Sequence, residues 1–200
     1  MQVMERDRIN VALQAEALRL LASLFRRPDG SLTGSIDALL SVYADEPAAV
    51  ASLETMRNSL EAGDLTPLLV DYTQLFIGSF EMTAPPYASY YLSPSPAVGG
   101  AVTQEIASFY AKRNLTLDAQ EKMPADFIGF MFEFVYRQVF AYLQTGDEGH
   151  LNAVDLFCEK YLLGWVPTFF LRMRDSARTD YYRELSHIGL NYLPIGFGVR

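Results

Sequence analysis

Pro85 and Pro86 stand side by side near the middle of the chain, and no regular helix runs through them. Each proline lacks a backbone donor, and the second also drives the first out of the helical region. Pro94 and Pro96 follow, so Ser79 to Gly100 is the longest stretch in which a helix is not expected. Gly78, just before it, suits the left-handed conformation that ends helices. The segment is nonetheless unlike a flexible linker, which would be rich in Gly and Ser. Phe80, Met82, Tyr87, Tyr90 and Tyr91 make it apolar and aromatic. Such a loop either packs on its own domain or presents a binding surface.

On both sides of this loop the apolar residues recur at helical spacing. Ile9, Leu13, Ala17, Leu20, Leu21, Leu24 and Phe25 form one stripe on a first helix, closed by Arg26 to Gly30. Ser35 is placed to cap a short helix, and Pro47 to open another that runs to about Glu61. Thr66 and Pro67 begin a helix carrying Tyr72, Leu75 and Phe76 that stops at Gly78. Beyond the loop, helices are expected over Val102 to Arg113, from Pro124 through Leu143, after Asp147, over Trp165 to Met173 and from Thr179 to about Tyr192. The tail after Tyr192 reads as irregular. The outcome is an all-α fold: one domain over residues 1–200, a bundle of about seven to nine helices with a long proline-rich aromatic loop.

Charge and composition exclude several classes. A formal charge of −8 argues against a nucleic-acid binder, which needs a basic surface. Cys158 is the only cysteine, so no intrachain disulfide forms and a reducing compartment is the default. The N-terminus lacks the continuous apolar core of a signal peptide. The most apolar segment, Phe127 to Leu143, is interrupted by Glu133, Arg137 and Gln138 and reads as a core helix, not a membrane span. A cytoplasmic protein without stable membrane insertion is expected.

Catalytic signatures are missing. There is no phosphate-binding loop, no dinucleotide fingerprint and no nucleophile elbow. His150 and Cys158 fit no metal-ligand spacing, and His187 lies among Leu185, Ile188 and Leu190 as a surface or packed side chain. Cys158 on an apolar helix reads as an inert core thiol. The chain is expected not to be an enzyme and to bind neither a metal nor another cofactor.

The polar residues with most to say lie in the central helix. Asp126 and Glu133 are two turns apart, with Arg137 one turn beyond, so all three would project from one face. Asp126 can complement the helix N-terminus, and Glu133 with Arg137 is a favourable i,i+4 pair. The same strip can instead offer carboxylates to arginine guanidinium groups beside an aromatic groove.

The residues Leu75-Phe76, Gly78, Pro85-Pro86-Tyr87, Ser89, Tyr91 and Leu92 resemble a motif of the TorD/DmsD family of redox-enzyme maturation chaperones. A second window, Pro124 to Phe134, is similar to the family's Pro-x-Asp-His-x-Gly segment. Asp126, Gly129, Glu133 and Phe134 align, and Phe127 replaces the usual histidine. A third, Tyr161 to Phe169, matches at Trp165 and Pro167, with Tyr161 in another histidine's place. Both replacements remove an ionisable group.

The resemblance implies an all-helical cytoplasmic chaperone that binds the twin-arginine signal peptide of a molybdoenzyme-type oxidoreductase and assists its maturation before export. It implies Tyr87, Ser89, Tyr91, Asp126, Phe130, Glu133 and Trp165 as peptide-binding residues, with Asp126 and Glu133 taking the arginines. Leu75, Phe76, Gly78, Pro85, Pro86, Gly129 and Pro167 form the structural motif. The partner is then the precursor of a catalytic subunit, and the family allows a monomer or a helix-swapped homodimer. Two other readings stay open: assembly of a non-exported subunit, and a small helical enzyme using Asp126 and Glu133.

Overall fold

A computed structural model describes residues 2–78, 81–118 and 121–194, with side chains from residue 9 onward. Phe80, one of the loop aromatics, and the tail from Ile195 lie outside the described residues. The described chain forms α1 (Gln2–Leu24), α2 (Leu32–Val42), α3 (Pro47–Glu61), α4 (Thr66–Tyr72), α5 (Ala88–Leu92), α6 (Ala101–Ala111), α7 (Ile128–Thr145), α8 (Gly149–Tyr161), α9 (Val166–Ser176) and α10 (Asp180–Asn191). A π-helical turn, Thr73–Ile77, extends α4. The all-α bundle stands as expected, and the seven to nine helices become ten among the described residues. The addition is α5, one short turn inside the proline loop. No described helix is long and apolar enough to cross a membrane.

Antiparallel α1 and α7 form the central pair. α2 lies against α1, and α3 bridges α2 and α10, which packs on α9. α8 lies against α7, and α5 against α6. Two aromatic clusters fill the interior. Phe25, fully buried just past α1, has the rings of Phe76, Phe132, Phe169 and Phe170 with centroids 5.7–6.2 Å away. On the far side of α7, Phe134 and Phe157 meet at 4.5 Å and Tyr110 stacks on Phe134 at 5.0 Å. Burial of such side chains contributes about 1.5–3 kcal/mol each.

Local signals set most of the ends. Pro47 opens α3, and Pro67 and Pro167 sit in the first turns of α4 and α9, where a missing N–H costs nothing. Gly146, at φ 73°, stops α7. One helix start depends on a distant residue. Asp71 on α4 places Oδ2 within 3.0 Å of the Arg178 N–H and 2.8 Å of the Thr179 N–H, and also accepts from the Thr179 hydroxyl. A buried carboxylate thus satisfies donors at the beginning of α10 that local sequence leaves open.

The end of the α4 extension fixes the proline loop. In the π turn the Gly78 N–H reaches the Thr73 carbonyl. The carbonyls of Gln74 and Leu75 are then free to accept from the Thr83 and Ala84 N–H groups, at 3.2 and 3.0 Å. Leu75 and Phe76 are buried beneath. Gly78 has φ 64°, and a Cβ there would lie 2.7 Å from the Glu81 carbonyl carbon. No other residue fits that position without movement of the backbone. The loop then passes through buried Pro85 and Pro86 to an isolated antiparallel bridge between Tyr87 and Phe127. There the Ile128 N–H donates to the Pro86 carbonyl at 2.9 Å, and the Ala88 N–H to the Asp126 carbonyl at 3.1 Å.

This bridge corrects the reading of the central helix. α7 begins at Ile128, not at Pro124, because Asp126 and Phe127 are held in the bridge and Phe127 has extended backbone. Asp126 and Glu133 therefore do not share a helix face.

Candidate functional site at the α1–α7 seam

Gly129 brings α1 and α7 together. A Cβ on it would stand 3.2 Å from the Ala22 carbonyl oxygen and 2.5 Å from the Phe127 ring. Along this close approach lies a cleft of about 320 Å³. Phe127, Phe130 and Glu133 form one wall, and Arg19, Ser23 and Arg26 on the α1 side the other. A smaller cavity of about 70 Å³ opens on the opposite side of Phe130 and Glu133, towards Leu117 and Arg137. Glu133 thus stands between two recesses.

Glu133 is half-exposed, with 37% of its side chain accessible. Arg137 donates to its Oε1 from Nη2 at 2.7 Å and from Nε at 3.1 Å, the i,i+4 pair that the spacing suggested. Both bonds go to one oxygen, and no donor among the described residues reaches Oε2. Across the seam, Arg19 is bonded to Glu16, with Nε 3.0 Å from Oε2. Its guanidinium also lies 5.8 Å from the centre of the Tyr136 ring. The Glu16 hydrogen bond holds the Arg19 pKa above its ordinary value, and the charge of Glu133 adds to the effect. The seam therefore presents two partly exposed carboxylates, each engaging an arginine of the chain itself, beside aromatic rings.

The other expected site residues lie deeper. Asp126 is fully buried. Its Oδ2 accepts from the Ser89 N–H at 2.8 Å and its Oδ1 from the Thr103 hydroxyl at 2.7 Å. Ser89 is also buried, and its hydroxyl accepts from the Gly99 N–H. Trp165 is fully buried, donates to the Tyr161 carbonyl and stacks on Tyr91 at 5.1 Å and 23°. Tyr87 packs on Phe127 at 6.0 Å, and Phe127 packs edge-on to Phe130 at 5.4 Å. Burial pushes the phenols of Tyr87 and Tyr91 up. The expected single groove separates into two parts. Phe130 and Glu133 line an open cleft, Tyr87 packs behind its Phe127 wall beside the Asp126–Ser89 hydrogen bond, and Tyr91 and Trp165 stack on each other outside its lining. Glu16, Arg19 and Tyr136 were not singled out by sequence, because charges on an amphipathic helix look like an ordinary solvated face.

The histidines have structural partners. His150 Nδ1 lies 2.9 Å from the Gln138 amide oxygen. Ser52, His187 and Glu184 cluster in a way that superficially resembles a catalytic triad. However, the Ser52 hydroxyl donates to Glu184 at 2.6 Å, so it accepts from His187 Nδ1 at 2.9 Å. A serine nucleophile would give its proton to the histidine instead. The cluster ties α3 to α10. Among the described residues no group of three or more His, Cys, Asp or Glu is placed to hold a metal ion.

The fold is shared with a solved protein from Archaeoglobus fulgidus described as a redox enzyme maturation protein. The TM-score is 0.61 over 90% of this chain and 93% of that one, at 23% identity. Residues 41–171 match the family described as the nitrate reductase delta subunit, and the chain belongs to that family. Its curated relatives include the chaperone protein TorD of Psychrobacter sp. (strain PRwf-1), 28% identical over 80% of this chain and 75% of that one. The TorD of Shewanella loihica is 27% identical over 88% and 87%. A chain of Haemophilus influenzae named as the Tat proofreading chaperone DmsD is 25% identical over 67% and 62%. The resemblance to TorD and DmsD read from the sequence motifs stands. These relatives support the chaperone reading over the small-enzyme one.

Proposed function

We propose that this protein is a cytoplasmic chaperone that binds the twin-arginine leader of an oxidoreductase precursor and holds it while the enzyme matures. The observation that carries the reading is Glu133, which stands at a cleft lined by Phe127 and Phe130 and already holds a guanidinium with one of its two oxygens. An exposed ion pair contributes at most about 1 kcal/mol, so an incoming arginine exchanges with Arg137 at little cost. Glu16, held by Arg19 across the seam, offers a second carboxylate for the second arginine. Asp126 supports the wall from within.

The test is a titration with a synthetic twin-arginine leader and with the same leader carrying Lys-Lys or Ala-Ala. Preference for the arginine form, weakened by Glu133→Gln, is expected. Equal binding of all three peptides would instead favour assembly of a non-exported subunit. The family description, nitrate reductase delta subunit, gives that second reading its weight.

A further inference from the structure

The cleft at the seam carries charges of both signs on facing walls. Arg19 and Arg26 stand on its α1 side and Glu133 on its α7 side. They are committed to different degrees. Arg19 gives Nε and Nη2 to Glu16. Arg137 gives the same two atoms to Oε1 of Glu133. Arg26 has no such partner. Its side chain is 60% exposed, and the nearest carboxylate among the described residues is Glu121, at 4.0 Å. The hydroxyls on that side have spent their hydrogens. Ser23 donates to the Leu20 carbonyl at 2.6 Å, so it accepts from Ser35 at 2.8 Å, and Ser31 donates to Asp29. Among the described residues the lining leaves two groups least paired: the Arg26 guanidinium and Oε2 of Glu133.

Resting on the leader-binding reading, we infer that Arg26 is a specificity-determining residue that receives a carboxylate carried by the leader beside its arginines. Charge balance carries the argument. Along the seam Arg19, Arg26 and Arg137 face only Glu16 and Glu133. These groups sense one another, since the charge of Glu133 reaches Arg19 without an ion pair between them. An arginine pair that brings no anion adds two more cations to this setting, and Arg26 repels it while Glu133 attracts it. A leader with Asp or Glu next to the pair complements both walls, its guanidinium on Glu133 and its carboxylate on Arg26. Arginine suits the second contact because its planar fork takes both oxygens of a carboxylate. A leader with lysine in that place meets like charge and is disfavoured, the repulsive element that discrimination requires. The cleft thereby sorts precursors by the charge beside an arginine pair that they share.

The experiment uses leaders with Asp, Asn or Lys immediately before or immediately after the arginine pair. Fluorescence anisotropy measures their binding to the wild-type protein, Arg26→Gln and Arg26→Glu. Arg26 is exposed and lies past the end of α1, and circular dichroism checks that the variants keep their helices. At low salt the wild type is expected to bind the better-placed Asp leader about two- to five-fold more tightly than its Asn counterpart, the scale of one exposed ion pair, and the Lys leader more weakly. Arg26→Gln should bind the three alike, and Arg26→Glu should reverse their order. Equal binding of Asp and Asn leaders by the wild type at both positions, with Glu133→Gln still weakening both, would overturn the inference and leave the leader-binding reading intact. An Asp preference that survives in Arg26→Gln would overturn it as well. If the wild type fails to prefer arginine over alanine, the arginine reading fails, and an Asp preference abolished by Arg26→Gln still assigns the carboxylate to Arg26. Competition by inorganic phosphate that is lost in Arg26→Gln, with no gain from Asp, would make Arg26 a contact for free anions and overturn the inference.

Discussion

The Asp126 carboxylate and the Ser89 backbone N–H lie 2.8 Å apart, although 37 positions separate them in the chain. With the Thr103 hydroxyl on its other oxygen, this carboxylate joins the proline loop, the start of α6 and the approach to α7. Removing it leaves the buried Ser89 N–H and the part-buried Thr103 hydroxyl without their partner, at about 1–3 kcal/mol for the buried donor and less for the other. Asp126→Ala should therefore lower stability by about 3 kcal/mol in urea unfolding. The remaining folded protein should bind the leader nearly as well as wild type. Unchanged stability with lost affinity would return Asp126 to the role that sequence assigned it, direct contact with the arginines.

Arg19 and Arg137 compete with any incoming guanidinium. Arg137→Gln frees Glu133, and Arg19→Gln frees Glu16. Each pair is exposed, so stability should change by less than about 1 kcal/mol. Affinity for the twin-arginine leader should rise about two- to five-fold at low salt, and the gain should shrink as salt screens the carboxylates. Calorimetric titration measures both. A loss of affinity would show that the arginines build the cleft.

Gly78→Ala and Gly129→Ala test two close approaches of different kinds. At Gly78 the added Cβ meets backbone at 2.7 Å in a left-handed conformation, which calls for a loss of about 2 kcal/mol or more. At Gly129 it meets the Phe127 ring at 2.5 Å and the Ala22 carbonyl oxygen at 3.2 Å, and overpacking costs about 1–3 kcal/mol. Thermal unfolding should register both losses. Only Gly129→Ala should also weaken leader binding, because the ring it displaces lines the cleft.

Alkaline pH should unfold the protein before its buried phenols titrate freely. Burial raises the phenol of Tyr43 to about 12 and those of Tyr91, Tyr110, Tyr181 and Tyr182 above their ordinary value. Each such phenol is neutral when folded and ionises near pH 10 when unfolded. Its contribution to stability is thus complete below about pH 10 and declines as pH rises through the folded value. Urea midpoints should fall steadily above about pH 10, and phenolate absorbance should jump at unfolding. A gradual titration at full stability would contradict the burial of these rings.

The helical architecture was legible because proline, glycine and apolar periodicity act locally. Pro47, Pro67 and Pro167 mark helix starts, and Gly78 and Gly146 mark helix ends. The start of α7 was misread for the same reason. Pro124 is a good local opener, but Ala125 and Asp126 turn and the bridge to Tyr87 holds Phe127 extended, and no local pattern announces it. Half of the candidate cleft was also hidden. Glu133 and Phe130 stood out on an apolar helix, whereas Glu16, Arg19 and Tyr136 acquire meaning only when α1 and α7 are laid side by side. Ile9 and Leu13 continue the apolar stripe of α1 in the sequence, yet at 58% and 45% exposed they emerge at the surface.

The π turn at Thr73–Ile77 makes the length of its segment a counted quantity. Its wide hydrogen bond spares two carbonyls, and those carbonyls hold Thr83 and Ala84. A chain with one residue deleted between Thr73 and Ile77 would close an ordinary α-helical turn and consume them. The deletion would also rotate the rest of the turn by about 100°, swinging Phe76 away from Phe25. Substitutions along this segment are matters of degree; a single-residue deletion would detach the whole strap.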